Sequence, residues 1–111
     1  MNFPKSARLL TKAQFQSVIR SGRRFVGAGI VIDWRKGAAS RPKLGITVSR
    51  RFGKAHDRNR FKRLVREVFR VTAPNMPSGL EINVIPRRPG TIFKKMALES
   101  DFARFIASLI P

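Results

Sequence analysis

The chain has 111 residues, with 24 Lys and Arg against six Asp and Glu, a formal net charge of +18 and a pI near 12.0. That length supports one domain with one core, and a hydrophobic fraction of 42% with nine Phe excludes a disordered basic tail. The absence of Cys excludes disulfides, thiol nucleophiles and Cys-ligated zinc; no apolar run approaches the ~20 residues of a membrane span, and the Met1-Asn2-Phe3-Pro4-Lys5 start lacks the apolar core of a signal peptide.

The expectation is a soluble, cytoplasmic, single-domain protein over 1–111 whose self-repulsion a polyanion would relieve. Nucleic acid is the first candidate partner and an anionic membrane surface the second. Residues 1–10, with Lys5 and Arg8, read as an extended basic arm. Thr11 and Gln14 form a capping box, Phe15, Val18 and Ile19 follow at helical spacing, and Gly22 is a good stop. A helix is predicted at about 12–21.

Residues 25–34 read as one strand, weakened at its start by Gly27 and Gly29. Alternation puts Ile30, Ile32 and Trp34 on one face and Val31, Asp33 and Arg35 on the other. The stretch 35–43 is turn-like, and 44–49 is a second strand with Leu44, Ile46 and Val48 alternating. The two strands suggest an antiparallel hairpin, and the sequence does not fix whether a short third strand lies near their loop. After a Pro- and Gly-rich loop, Leu80, Ile82 and Val84 mark a strand at 80–85, and Leu98, Phe102, Phe105, Ile106 and Leu109 a helix at 94–109, with Phe93 as a staple before it.

The stretch 50–70, RRFGKAHDRNRFKRLVREVFR, carries nine Lys or Arg against Asp57 and Glu67. Phe61, Leu64, Val65, Val68 and Phe69 recur at i, i+3, i+4, i+7, i+8, the spacing of one buried helix face. The spacing predicts a helix over 57–72, with Asp57 as N-cap and Pro74 beyond its end. Asn59, Arg63, Arg66 and Arg70 fall opposite the apolar stripe, with Arg60 and Lys62 on its flanks. Lys62 with Arg66, Arg63 with Arg66, and Arg66 with Arg70 are like-charge neighbours, each costing a few tenths of a kcal/mol. Arg58 and Arg60 sit at the positive end of the helix dipole. Only Arg63 with Glu67 is a favourable pair. A solvated helix face normally mixes signs; this one is written for phosphates, which reverse the sign of every one of these terms.

The block Gly45-Ile46-Thr47-Val48-Ser49-Arg50-Arg51-Phe52-Gly53-Lys54-Ala55, followed by Arg58-Asn59-Arg60-Phe61-Lys62-Arg63-Leu64-Val65-Arg66-Glu67-Val68-Phe69, resembles the protein subunits of bacterial ribonuclease P, with their RNR signature and the strand and glycine turn before it. Phe15, Val18 and Gly22 resemble that family's first helix, and 80–89 its last strand, so the resemblance covers about 6–109. It implies an α+β sandwich of order α-β-β-β-α-β-α, like the second domain of ribosomal protein S5, with a left-handed β-α-β crossover against the usual hand. It implies a protein that binds the catalytic RNA and the 5′ leader of precursor tRNA, assisting leader removal. In that family the RNA carries out the hydrolysis with magnesium; the protein is a monomer in isolation, one per RNA, with no cofactor, membrane or small-molecule substrate of its own.

The residues read on their own agree that the chain holds no hydrolytic machinery. There is one His, His56, and the six carboxylates, Asp33, Asp57, Glu67, Glu81, Glu99 and Asp101, have no paired spacing that would hold two metals. Neither catalytic nor metal-binding residues are assigned. The resemblance assigns contacts with the catalytic RNA to Arg58, Asn59, Arg60, Lys62, Arg63 and Arg66, and Arg50, Arg51 and Lys54 extend that patch. Asn59 is either a base or ribose contact or a structural hydrogen bond. The implied leader cleft, between the first helix and the sheet, falls on Phe15, Ile19, Val31 and Asp33. Phe15 is either a stacking platform or core, and a carboxylate at Asp33 is expected to repel phosphate. A ribosomal RNA binder on the same fold and a DNA-binding module are the competing readings.

Overall fold

The computed structural model describes residues 7–9, 11–38, 40–88 and 94–109. The predicted Phe93 staple and most of the 1–10 arm lie outside them. Helix α1 (Lys12–Arg20) begins where the sequence places it. Thr11 Oγ1 accepts from the Gln14 amide at 3.1 Å, and Gln14 Oε1 accepts from the Thr11 amide at 3.0 Å. The pair satisfies two of the amides that a helix start leaves without partners. Gly22, at φ 74, takes the left-handed turn that ends it.

The predicted strand at 25–34 is two strands. β1 (Arg24–Val26) and β2 (Ile30–Lys36) pair antiparallel across a Gly27-Ala28-Gly29 turn. The glycines that weaken the start of a single strand here reverse the chain. The short third strand that the sequence allowed near the 35–43 loop lies elsewhere: it is β1, ahead of β2. β3 (Lys43–Ile46) and β4 (Leu80–Pro86) complete a sheet of order β1-β2-β4-β3. The expected hairpin between β2 and β3 does not form. β4 inserts between them, antiparallel to β2 and parallel to β3. β4 is buried over its first five residues, as a central strand requires, with Leu80, Ile82 and Val84 on the core face and Glu81 and Asn83 on the other.

Helix α2 (Ala55–Thr72) is the crossover that makes β3 and β4 parallel. It starts two residues before the predicted boundary. Lys54 is the N-cap, its carbonyl accepting from the Arg58 amide at 3.0 Å, and it gives no side-chain cap. Asp57 instead lies in the first turn, where its charge meets the helix dipole. Helix α3 (Lys95–Leu109) closes the domain.

One face of the sheet carries the core. Ile30, Ile32, Leu44, Ile82 and Val84 meet Phe61, Val65, Val68 and Phe69 of α2 and Leu98, Phe102 and Phe105 of α3. Leu64 packs on the same cluster, so the predicted stripe of α2 is the buried one. Trp34 also turns to this face, edge-on to Phe105 with ring centroids 6.1 Å apart. The other face carries Asp33, Asn83 and Gly45 in one cross-strand row, and α1 lies over it.

A buried carboxylate ties α3 to the sheet. Asp101 accepts from the amides of Ala28 and Gly29, both at 2.9 Å, and from Arg104. Burial pushes this carboxyl up. The two amides and the Arg104 guanidinium outweigh that and hold it below the usual carboxylate range. Gly27 leaves the room required, since a Cβ there would lie 2.7 Å from Asp101 Cγ.

Candidate nucleic-acid interface

The expected RNA-binding residues lie on one continuous piece of chain that leaves β3. Arg50 and Arg51 are exposed on a single 3-10 turn, Arg50–Phe52, anchored by the buried Phe52 ring 5.3 Å from Phe61. Lys54 caps α2, and Asn59, Arg60, Arg63 and Arg66 are exposed along it, with Arg58 and Lys62 half-buried. Burying Phe61, Val65, Val68 and Phe69 fixes the rotation of α2, and that rotation alone points the cations outward. Arg63 and Glu67 do not form the ion pair that their spacing allows. The carboxylate within α2 that does pair is Asp57, with His56 Nε2 at 3.2 Å. Asn59 is exposed and serves no cap, which removes the capping alternative for it.

The four residues expected in the leader cleft are divided. Phe15 reaches the edge strand: a Cβ on Gly45 would sit 2.5 Å from Phe15 Cε1 and 2.9 Å from Leu9 Cδ1. Glycine at 45 is what lets the aromatic edge and the arm lie against β3. Ile19 stands 48% exposed on α1, a large apolar side chain facing out. Val31 and Asp33 belong to β2, two strands from Gly45, a separation of roughly 10 Å.

Asp33 does not present a bare charge to RNA. It is 3% exposed, and Arg24 grips it with two bonds, Nε to Oδ1 at 2.7 Å and Nη2 to Oδ2 at 3.1 Å. The hydrogen bond and the charge of Asp33 hold the Arg24 proton more firmly than usual. The repulsion expected of this carboxylate is therefore cancelled by a neighbour on β1, a strand that the sequence reading did not separate. Asn83, beside Asp33 on β4, is fully buried; its Oδ1 accepts from Thr47 Oγ1 at 3.1 Å, and its Nδ2 has no partner.

A small cavity joins the two surfaces. Arg8, Leu9, Phe15, Leu44, Gly45, Ile46, Lys62 and Arg66 line about 160 Å³ at the outer edge of β3. The arm reaches it because the Leu9 amide donates to the Leu44 carbonyl at 3.1 Å. Arg8 reads from the sequence only as part of the basic arm and Gly45 only as part of the resembling block, and neither is assigned to a site there. A glycine inside an otherwise apolar strand was the available signal of a close approach.

A family model described as Ribonuclease P matches residues 3–109. The chain belongs to the ribonuclease P protein family. The ribonuclease P protein component of Chlamydia muridarum is 42% identical over 113 residues, covering 100% of this chain and 92% of its own. That of Chlamydia trachomatis serovar L2 is 48% identical over 90 residues, covering 78% and 72%. The RNase P protein from Thermotoga maritima has the same fold, with a TM-score of 0.80 at 30% identity over 91% of this chain and 96% of its own. Membership makes the chain a component of a tRNA-processing endoribonuclease complex and a partner of the ribonuclease P RNA.

Proposed function

We propose that the chain binds the catalytic RNA of ribonuclease P through the cations from Arg50 to Arg66, and holds the 5′ leader of precursor tRNA against α1 and the sheet. The observation that carries this reading is the state of α2. Its apolar face is spent on the core, while its exposed Arg60, Arg63 and Arg66 form no ion pair among the described residues. Phosphate is the partner that turns those repulsions into attractions. Arginine offers paired N–H groups to phosphate, and Asn59 a donor and acceptor to a base edge or ribose. Phe15, Ile19 and Val31 offer apolar surface to single-stranded bases.

The hydrolysis belongs to the RNA in this reading. Magnesium bound by a protein takes several oxygen ligands. Among the described residues no three His, Cys, Asp or Glu stand together, and the buried carboxylates Asp33, Glu81 and Asp101 are already held by Arg24, Arg35 and Arg104. The donor set does not fit, so no step is routed through this chain. The protein neutralises RNA charge and raises the affinity for the leader, one copy per RNA, in the cytoplasm. No helix among the described residues is long and apolar enough to cross a membrane.

Reconstitution tests this. Adding the protein to bacterial ribonuclease P RNA at low magnesium should raise 5′ cleavage of precursor tRNA, and the protein alone should leave the substrate intact. An RNA-binding chain that leaves the cleavage rate unchanged would be a structural RNA binder instead.

A further inference from the structure

We propose that Arg24, Arg35 and Lys43 form a second phosphate-binding site for RNA, at the end of the sheet remote from the start of α2. The inference rests on the reading that the chain works bound to RNA. It assigns residues that neither the basic helix nor the leader cleft includes.

Each arginine is held in place by a buried acid. Glu81 is 5% exposed on β4, and Arg35 on β2 donates its Nε to Glu81 Oε1 at 2.8 Å. Lys43 on β3 is the register partner of Glu81 from the other side. Gly37 keeps space for this carboxylate, since a Cβ there would collide with Glu81 Oε2. One strand over, Asp33 fixes Arg24 through Nε and Nη2. Both carboxylates are buried, so neither offers exposed negative charge. Both guanidinium groups stay open to solvent, with 54% of the Arg24 side chain and 37% of the Arg35 side chain exposed.

The bonds already made leave the right atoms free. Arg35 uses only Nε, so both of its Nη groups remain, and Arg24 keeps Nη1. A planar fork whose orientation is fixed beforehand loses little entropy on meeting a phosphate oxygen pair.

The site is distinct from α2. Lys43 lies three residues back along β3 from Ile46, beyond which come Arg50 and the helix, a rise of roughly 10 Å. That is about a Debye length at physiological salt, so phosphates bound at the start of α2 do little for charges here.

The test uses replacements that preserve net charge: Arg35→Gln with Glu81→Gln, and Arg24→Gln with Asp33→Asn. Each removes a cation with its buried acid, so the general attraction to RNA is unchanged. Lys43→Ala is the third variant, on a residue with no buried ion pair to lose. Urea unfolding checks that each variant is folded. Binding is measured against ribonuclease P RNA alone over a range of salt, and against precursor tRNAs of increasing leader length in the assembled complex. Binding about tenfold weaker per arginine is expected, with a salt slope up to one unit shallower. A deficit with RNA alone places the catalytic RNA in the site, and one that grows with leader length places the leader there. Folded variants that match the wild type in both assays overturn the proposal, as does unaltered binding by Lys43→Ala if the double variants do not fold. Failure of the broader reading would appear separately, as wild-type protein that does not bind the RNA.

Discussion

The outer face of α2 and the Asp101 junction treat charge in opposite ways. Along α2, cations stand next to cations, and the pair that spacing allows, Arg63 with Glu67, is not made. At the junction one carboxylate is shared among Arg104 and the amides of Ala28 and Gly29. Three of the six acids, Asp33, Glu81 and Asp101, are buried and bonded to arginine. The molecule spends its scarce negative charge on holding its own backbone and arginines in place. It leaves Arg60, Arg63 and Arg66 of α2 without an ion pair among the described residues, open to the polyanion proposed above. The contrast separates residues that stabilise the fold from residues whose like-charge neighbours cost the free protein stability, a cost that the proposed RNA complex would relieve.

The largest effect should come from the junction. Asp101→Ala removes the acceptor shared by the Ala28 and Gly29 amides and Arg104 and should cost about 2–4 kcal/mol, read as a lower urea midpoint. A midpoint equal to wild type would remove the junction from the list of stabilising contacts. The same carboxyl makes an acid-sensitive contribution. Its folded pKa is depressed, so its stabilisation is fully present above the unfolded value of about 3.9 and is lost as pH falls through the lower folded value. Asp101→Asn should flatten the acid limb of a stability-versus-pH profile without moving its neutral plateau by the full cost of Asp101→Ala.

Next comes the aromatic on α1. Phe15→Ala should weaken leader binding in the assembled complex by about 1–3 kcal/mol if a base stacks there, while affinity for the RNA alone holds. Equal losses in both would make Phe15 a packing residue for the arm and Gly45.

Smaller changes are expected on α2. Arg63→Ala and Arg66→Ala should each reduce the slope of log affinity against log salt by up to about one unit. An unchanged slope would take that residue out of the interface. The smallest effect carries the opposite sign to that at the junction. Either replacement should leave the free protein as stable as before, or more stable by a few tenths of a kcal/mol, because a like-charge neighbour is gone. A clear loss of stability would mean that these arginines have partners within the fold.

Much of this was legible in the residues because it depends on local chemistry. The Thr11–Gln14 capping box, the Gly22 stop and the buried stripe of α2 each depend on residues within a few positions of one another. The errors fall where distant segments decide. Gly27 and Gly29 read as weak strand positions, yet the turn they make is held by Asp101, more than seventy residues away. A hairpin of β2 and β3 is the natural local guess, and β4 displaces it: both of its faces are buried, and the polar residues on its second face, Glu81 and Asn83, find their partners Arg35 and Thr47 on β2 and just beyond β3. Asp33 read as a lone carboxylate because its partner Arg24 sits on a strand that only pairing reveals.

The sequence by itself determined the excess of positive charge, the side of α2 that carries it and the family to which that block belongs, since helical periodicity and charge need no knowledge of neighbours. Tertiary structure alone decided strand order, which acids are silenced, and that Arg24, Arg35 and Lys43 share one end of the sheet. Those outcomes follow from burial and pairing between segments far apart in the chain, and local spacing does not encode which segments will meet.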